Sequence, residues 1–211
     1  MSGALAHRFG RNPVATFGAV LVGLIALVSL LAPVLPLADP DHTDILHRLA
    51  APFTPGHPLG TDELGRDLLA RVIWGTRLSL AVGIAAAVLA SVIGSAIGIL
   101  AAYYGRIADT LLMRGIDMLM AFPYLLLALA IVAALGPSLG HAMIAIVIVN
   151  VPFFARAVRG ATVGLRRSDF IAAARLTGQS NARIIATELL PNVLPVIAVT
   201  ASTSVGWMIL E

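Results

Sequence analysis

The sequence predicts an all-α membrane protein, a polytopic helical bundle with five spans. Of its 211 residues 59% are hydrophobic and only 12% are charged, whereas a typical soluble domain carries about 25% charged residues. The apolar residues also form long uninterrupted runs, and a helix needs roughly 20 of them to cross a bilayer core about 30 Å thick. A soluble chain of this length would not bury so much apolar surface.

The first span is predicted at residues 14–37, directly after a short N-terminal stretch, 1–13, that contains His7, Arg8 and Arg11. The apolar core of a cleaved signal peptide is usually about 7–15 residues long. This run is longer and has no convincing small-x-small cleavage site, so we expect a retained membrane anchor.

The second span is predicted at 78–102, which contains no charged residue. Small side chains recur at every fourth position, and this spacing places them on one face of a helix. Such a face lets a neighbouring helix approach closely. The small residues that form this stripe are Ala86, Ala90, Gly94, Gly98 and Ala102.

The apolar stretch 118–155 contains only His141 as an ionisable residue. One helix over this stretch would be about 57 Å long, too long for a single crossing. The Gly136-Pro137-Ser138-Leu139-Gly140 sequence interrupts it, since Gly and Pro mark turns. We therefore predict two spans, 118–135 and 139–155, and a fifth at 189–210.

The arginine distribution predicts the orientation, because cytoplasmic loops carry an excess of Lys and Arg. Segment 37–77 has four arginines and six acidic residues, whereas loop 156–188 has six arginines and two acidic residues. We therefore expect the N-terminus and the 156–188 loop in the cytoplasm and the 38–77 segment, here called the acidic segment, outside. The short 106–117 connection is expected inside.

The composition also excludes several functions. The chain has neither cysteine nor lysine. Disulfides and Cys-ligated metals are therefore excluded, as is a phosphate-binding G-x-x-x-x-G-K-[ST] loop. We expect no cofactor, no resident metal and no nucleic-acid partner, and no nucleotide site within this chain.

The 166–192 loop is predicted to fold as two short helices joined by a glycine turn. Ser168 or Asp169 would cap the first helix, Arg175 suits its C-terminal end, and Gly178 suits the left-handed position that ends a helix. Ser180 would begin the second helix. Such a rigid knob could fit a groove on a partner protein; alternatively, its arginines could hold a surface helix on anionic lipid.

The acidic segment contains the sequence H-P-L-G-T-D-E-L-G-R-D at 57–67, followed by G-T-R-L-S-L at 75–80. By itself this stretch predicts turns that lead into a capped helix start. A metal site is the alternative, but Asp62, Glu63 and Asp67 follow no established ligand spacing, so the structural interpretation is favoured.

Both segments resemble those of a known family. The 166–192 loop resembles the EAA motif of ABC importer permeases, E-A-A-x-x-x-G followed by Leu-Pro-Asn, although Ala172 replaces the leading glutamate and Glu188 stands where histidine is common. The 57–80 stretch resembles the dipeptide/oligopeptide/nickel importer permeases, particularly the second permease subunit of each complex. Members usually continue into a sixth span after the position of Glu211, so 78–211 is expected to be a C-terminally incomplete transmembrane domain.

The resemblance implies a permease subunit, not an enzyme, in a bacterial or archaeal cytoplasmic membrane. Its partners would be a sister permease, two ABC ATPase subunits, an extracytoplasmic substrate-binding protein and the lipid bilayer. The residues implied in ATPase coupling are Asp169, Ala172, Ala173, Ala174, Arg175, Gly178, Leu190, Pro191 and Asn192. The candidates for binding-protein docking are Gly60, Thr61, Asp62, Gly65, Arg66 and Asp67.

The substrate path is only weakly marked. Its polar candidates within the spans are Asn150, Thr200, Ser202, Thr203 and Ser204. The favoured alternative is that these side chains bond to their own helix or a neighbouring one. An ion-coupled secondary transporter acting without an ATPase is the rival function, but it usually needs acidic residues in mid-membrane, which these spans lack. The cargo stays open among dipeptides, oligopeptides, glutathione-like peptides and nickel.

Overall fold

The structure is a computed structural model that describes residues 13–210; the predicted N-terminal charges Arg8 and Arg11 lie outside this range. Within the described range the fold is helical and contains no named strand. The chain divides into two compact units, Met1–Ala81 and Val82–Glu211. The helices are α1 (Pro13–Leu31), α2 (Leu68–Tyr104), α3 (Arg106–Met120), α4 (Tyr124–Leu135), α5 (Leu139–Leu165), α6 (Asp169–Leu176), α7 (Asn181–Ile184) and α8 (Leu190–Leu210).

The all-α polytopic fold is confirmed. Among the described residues four helical stretches are long and apolar enough to cross a membrane: α1, α2, α5 and the continuous helical stretch Asn181–Leu210. Helices α3 and α4 pass the same test only as a pair, which is bent by 89°. The five predicted spans are therefore reached when this bent pair counts as one span.

The third span differs in detail from the prediction of one helix over 118–135. The chain leaves the helix after Met120 and resumes it at Tyr124, because Pro123 disfavours helical geometry at the preceding residue and removes a backbone donor. The 12 residues of α4 measure about 18 Å, less than a bilayer core. The apolar pattern alone did not reveal this bend.

Three other helix ends also differ from the apolar runs. Helix α1 ends at Leu31, just before Pro33, since a proline restricts the residue that precedes it. Helix α2 begins at Leu68 and α5 continues to Leu165. Both extend past the apolar run because hydrogen bonding along a helix continues into charged turns that a hydropathy pattern excludes.

Helix α5 is the centre of the second unit, where it contacts α3, α4 and α8 and also packs against α2. The predicted small-residue stripe is confirmed, since all five of its members are buried. A Cβ at Gly94 would lie 2.6 Å from Cβ of Phe154, and one at Gly98 would lie 2.5 Å from the carbonyl oxygen of Ala155. Only hydrogen at these positions lets α2 and α5 approach so closely.

Candidate functional site

The 166–192 loop folds around a glycine turn. Gly178 has φ +75°, which confirms the left-handed end of α6, and Ser180 Oγ accepts a hydrogen bond from the backbone N–H of Arg183 at 3.4 Å. Ser168 occupies the N-cap position of α6, but its hydroxyl donates to the carbonyl oxygen of Leu165 at 2.6 Å and accepts no capping bond. Ser168 therefore occupies the predicted N-cap position, but its side chain does not make the predicted capping hydrogen bond.

Helix α6 has two different faces. Ile171 and Ala174 are buried in a cluster with Ile99, Ile184 and Leu189. The opposite face is exposed and apolar: Ala172 and Ala173 are exposed, and Leu176 is 90% exposed. The three alanines named as coupling residues are therefore divided, because Ala174 anchors the helix while the other two face outward.

Three contacts tie this loop to the last turn of α2. Arg166 donates from Nη1 to the carbonyl oxygen of Ala102 at 3.0 Å, which satisfies one of the carbonyls left free at a helix C-terminus. Tyr103 Oη donates to Asn181 Oδ1 at 2.8 Å, and the guanidinium of Arg175 lies 5.3 Å from the centre of the Tyr103 ring. Of these residues only Arg175 had been predicted as part of the site.

The Leu-Pro-Asn sequence lies beyond a π-helical turn, Ile185–Leu189, a feature that is frequent at functional sites. Leu190, Pro191 and Asn192 are exposed. The Asn192 side chain donates from Nδ2 to the carbonyl oxygen of Glu188 at 2.6 Å. The neighbouring Leu189 is fully buried and holds this exposed turn against the cluster.

Two ion pairs connect α3 with α5. Arg159 makes a two-pronged pair with Asp109, with both N–O distances at 2.6 Å, and Arg156 Nη2 lies 2.6 Å from Asp117 Oδ1. The planar guanidinium is suited to such two-pronged binding. From the sequence, Arg156 and Asp117 lie only at the edges of predicted spans. The partners are 39 positions apart in the Arg156–Asp117 pair and 50 apart in the Arg159–Asp109 pair, so the sequence did not predict either pairing.

In the acidic segment, the Asp62 carboxylate is the centre of a local network of hydrogen bonds and ion pairs. Its carboxylate accepts backbone hydrogen bonds from Leu64 at 2.8 Å and Arg66 at 2.9 Å. It also pairs with the guanidinium groups of Arg66 and Arg71. Burial works to raise the pKa of Asp62, but these hydrogen bonds outweigh it and hold the pKa well below its usual value.

The other docking candidates also have internal partners. Thr61 is buried, accepts the N–H of Ala50 at 2.9 Å and donates to the carbonyl oxygen of His47. Asp67 accepts the N–H of Ala70 at 2.8 Å and lies 2.9 Å from Nδ1 of His57. Within residues 13–210 no group of three His, Asp or Glu side chains could hold a metal ion.

Two glycines of this segment lie where no side chain fits. Gly60 and Gly65 have φ +80° and +76°, and a Cβ on either would overlap a backbone carbonyl, that of Ala50 or Asp44. Several large apolar side chains, in contrast, point outward. Those at least two-thirds exposed are Ile45, Leu46, Leu49 and Phe53.

The polar candidates for the substrate path mostly bond within their own helices. Ser202 donates to the carbonyl oxygen of Val199 at 2.8 Å, and Ser204 donates to that of Thr200 at 2.8 Å. Thr203 donates to the same two carbonyls. The favoured structural interpretation is thus confirmed for these hydroxyls.

Two of the candidates, Asn150 and Ser204, nevertheless line one cleft of about 550 Å³. Phe153 follows Asn150 by three positions on α5, and Trp207 follows Ser204 by three on α8. This repeated polar-to-aromatic spacing could have marked one face on each helix from sequence, since residues three apart share a helix face, but it does not show that the two faces meet. The remaining lining residues are Tyr124, Leu125 and Leu210.

Comparison with known proteins gives two family matches. Residues 94–211 match the family described as binding-protein-dependent transport system inner membrane component. Residues 4–52 match the N-terminal transmembrane domain of oligopeptide transport permease C. The first match covers more than half of the chain, including α3 to α8.

The similar curated proteins are transport permeases. A dipeptide transport system permease of Alkalihalophilus pseudofirmus is 44% identical over 95% of this chain and 66% of its own length. A probable D,D-dipeptide transport system permease of Escherichia coli is 39% identical over 94% of this chain and 66% of its own. A glutathione transport system permease of Pectobacterium atrosepticum is 37% identical, with coverages of 97% and 68%. The chain thus spans about two thirds of the length of these relatives.

Proposed function

Because this chain belongs to the family of binding-protein-dependent transport system inner membrane components, we propose that it is a permease subunit of an ATP-binding-cassette importer for peptides. It would form part of the transmembrane pathway together with a sister permease, while two separate ATPase subunits hydrolyse ATP. The peptide cargo is proposed because several similar proteins are named as dipeptide or peptide permeases.

The exposed face of α6 is the observation that supports ATPase coupling most directly. Ala172, Ala173 and Leu176 form an apolar surface on a helix whose other face is fixed in the core. Covering a leucine that is 90% exposed with an apolar partner surface lowers the free energy of the complex. Because the loop is anchored, a partner that moves this surface would move α2 with it as a nearly rigid body.

A pair of exposed leucines tests this proposal. Leu176→Glu should abolish co-purification of the partner ATPase subunits, because a carboxylate would be buried without a partner. Leu46→Glu is the matched control, since Leu46 is 93% exposed but lies in the acidic segment. Retention of the ATPase by Leu176→Glu would contradict the coupling surface.

The acidic segment is proposed to dock the substrate-binding protein. Its motif residues Gly60, Thr61, Asp62, Gly65, Arg66 and Asp67 would act by fixing the loop, since their bonds are directed inward. Contact would then come from the outward apolar side chains. Leu46 and Phe53 are the most exposed of them.

Reconstituted transporter provides the docking test. Leu46→Glu should reduce stimulation of ATP hydrolysis by substrate-loaded binding protein about tenfold, the loss expected when about 1.4 kcal/mol of apolar contact disappears. Basal hydrolysis should not change. Undiminished stimulation would contradict docking at this surface.

The proposed orientation places the 166–192 loop in the cytoplasm and the acidic segment outside. The absence of cysteine from the sequence allows a direct test with single-cysteine variants. Leu46→Cys in intact cells should react with a membrane-impermeant maleimide, whereas Leu176→Cys should react only after the membrane is opened. The reverse labelling pattern would show that the chain has the opposite orientation in the membrane.

The cleft beside Asn150 and Trp207 is proposed to contact the cargo. Among residues 13–210 its lining contains amide, hydroxyl and aromatic groups but no ionisable acid or base other than the Tyr124 hydroxyl. Such a surface is suited to neutral peptide groups of varied sequence.

The proposed division of the chain is an N-terminal stretch, 1–13, a first span, 14–37, the acidic segment, 38–77, and the importer transmembrane domain, 78–211.

A further inference from the structure

Tyr103 contacts both arms of the Gly178 turn. It lies in the last turn of α2, and its side chain is buried, with 4% exposure. Its ring lies under the guanidinium of Arg175 in α6, and its hydroxyl donates to Asn181 at the start of α7. One residue of α2 therefore holds the helix that precedes the turn and the helix that follows it.

Most residues of the turn itself are exposed. A Cβ built on Gly178 would meet no atom within 4 Å, and Thr177, Gly178 and Ser180 are exposed. The relative position of α6 and α7 is therefore set by what lies beneath them. Ile171 and Ile184 supply non-directional apolar contact there, whereas Tyr103 supplies a hydrogen bond of defined geometry.

The helix that carries Tyr103 is closely packed further along its length. Gly94 and Gly98 fit against α5, and a Cβ at Gly83 would lie 2.6 Å from a side-chain carbon of Ile209 in α8. A displacement at the Tyr103 end would thus reach both α5 and α8, because tightly packed helices transmit strain.

We infer that Tyr103 is a positioning residue that converts movement of the 166–192 loop into movement of α2. This inference rests on the proposed function, since it takes the loop as the surface that the ATPase moves. The aromatic ring and the hydroxyl have separate tasks: the ring holds α6 through Arg175, and the hydroxyl fixes the angle of α7 through Asn181.

The first test removes only the hydroxyl. Tyr103→Phe should lower the amount of peptide transported per ATP hydrolysed by about threefold to tenfold, the range that corresponds to the loss of one hydrogen bond, with the basal ATPase rate and subunit assembly unchanged. Tyr104→Phe is the matched control: Tyr104 is the next residue, its ring contacts Tyr103 edge-on at 5.2 Å, and it is half exposed. Equal transport per ATP in wild type and Tyr103→Phe would overturn the inference.

A double-mutant cycle identifies the partner. Asn181→Ala should cause the same loss as Tyr103→Phe, and the double variant should be no worse than either single variant, because both remove one interaction. Asn181→Asp keeps an acceptor for the tyrosine hydroxyl and should retain most of the coupling. Additive losses in the double variant would show that the two side chains do not act through each other.

Hydrogen exchange separates this inference from the proposed function. In the purified chain, without ATPase, Tyr103→Phe should speed amide exchange about threefold to tenfold in residues 177–184, and Tyr104→Phe should not. Faster exchange together with no ATP-driven transport by the wild type would contradict the proposed importer while leaving the structural link intact. Unchanged exchange would contradict the link itself.

Discussion

The acidic segment and the 166–192 loop both carry sequence motifs, but their polar residues bond over very different distances along the chain. Asp62 bonds to residues two, four and nine positions away. In the loop, Arg166 reaches Ala102 across 64 positions, and Tyr103 reaches Asn181 across 78. The first region is therefore held by its own residues, whereas the second is held by the helices beneath it.

This difference separates two kinds of motif. A segment whose polar groups satisfy one another locally has a shape of its own, so it can present side chains such as Leu46 without support from elsewhere. A loop fastened to distant helices has a shape that depends on them, and force applied to it reaches them. The first arrangement suits a docking surface, and the second suits a mechanical link.

The largest effect that would break this comparison is expected at Gly65. Gly65→Ala combines left-handed backbone strain with overlap of the Asp44 carbonyl group, and the two together should cost about 4 kcal/mol. The acidic segment should then lose its fold and become rapidly cleaved by protease in the purified chain. The 166–192 loop should keep its resistance, because its contacts lie in the second unit.

Gly56→Ala provides the matched control. Gly56 also has a positive φ, +85°, but a Cβ there would meet nothing within 4 Å. It should suffer only the backbone strain, about 1–2 kcal/mol. Equal protease sensitivity in the two variants would show that the close approach of Gly65 to Asp44 contributes nothing.

An intermediate effect is expected beneath the loop. Ile184→Ala removes a fully buried side chain from the cluster under α6 and α7 and should destabilise the loop by about 3 kcal/mol through lost contact and a residual cavity. Hydrogen exchange of residues 169–190 should accelerate, with no change in the acidic segment. Leu176→Ala, on the exposed face, should leave exchange as it is; acceleration there would show that this face is already covered in the chain by itself.

The smallest expected effect is a dependence of stability on pH, and it is confined to the acidic segment. Asp62 has a pKa below its usual value in the folded protein, because hydrogen bonds from Arg66, Leu64 and Arg71 outweigh burial. A lowered pKa stabilises the fold above the unfolded value of about 3.9, and this stabilisation is lost as the pH falls below that value toward the folded pKa. The segment should therefore become protease-sensitive below about pH 4.

Asp62→Asn isolates this contribution. The variant should be less stable than wild type at pH 7, and the difference should shrink as the pH falls below about 4. Pepsin cleavage between pH 2.5 and pH 6, together with thermal unfolding of the purified chain at pH 7, measures the difference. A gap that stays constant with pH would exclude the Asp62 carboxylate as its source.

Much of the fold was determined by the sequence alone. The apolar runs predicted a polytopic helical protein because backbone groups in a bilayer must be bonded internally, which favours helices. The spacing of Gly94 and Gly98 predicted a closely packed helix face, since four-residue spacing fixes a face whatever lies opposite. The left-handed turn at Gly178 was also predicted, because it depends on local backbone geometry.

Only the tertiary structure decided which partners meet across the chain. That Tyr103 holds Asn181, that Arg159 pairs with Asp109, and that Asn150 and Ser204 share a cleft all depend on the packing of separate helices. Local pattern carries no information on these pairings, because each side chain would suit many partners of the same chemistry. The bend before α4 was missed for a related reason: Pro123 marks a break, but the direction of the chain after it depends on the neighbouring helices.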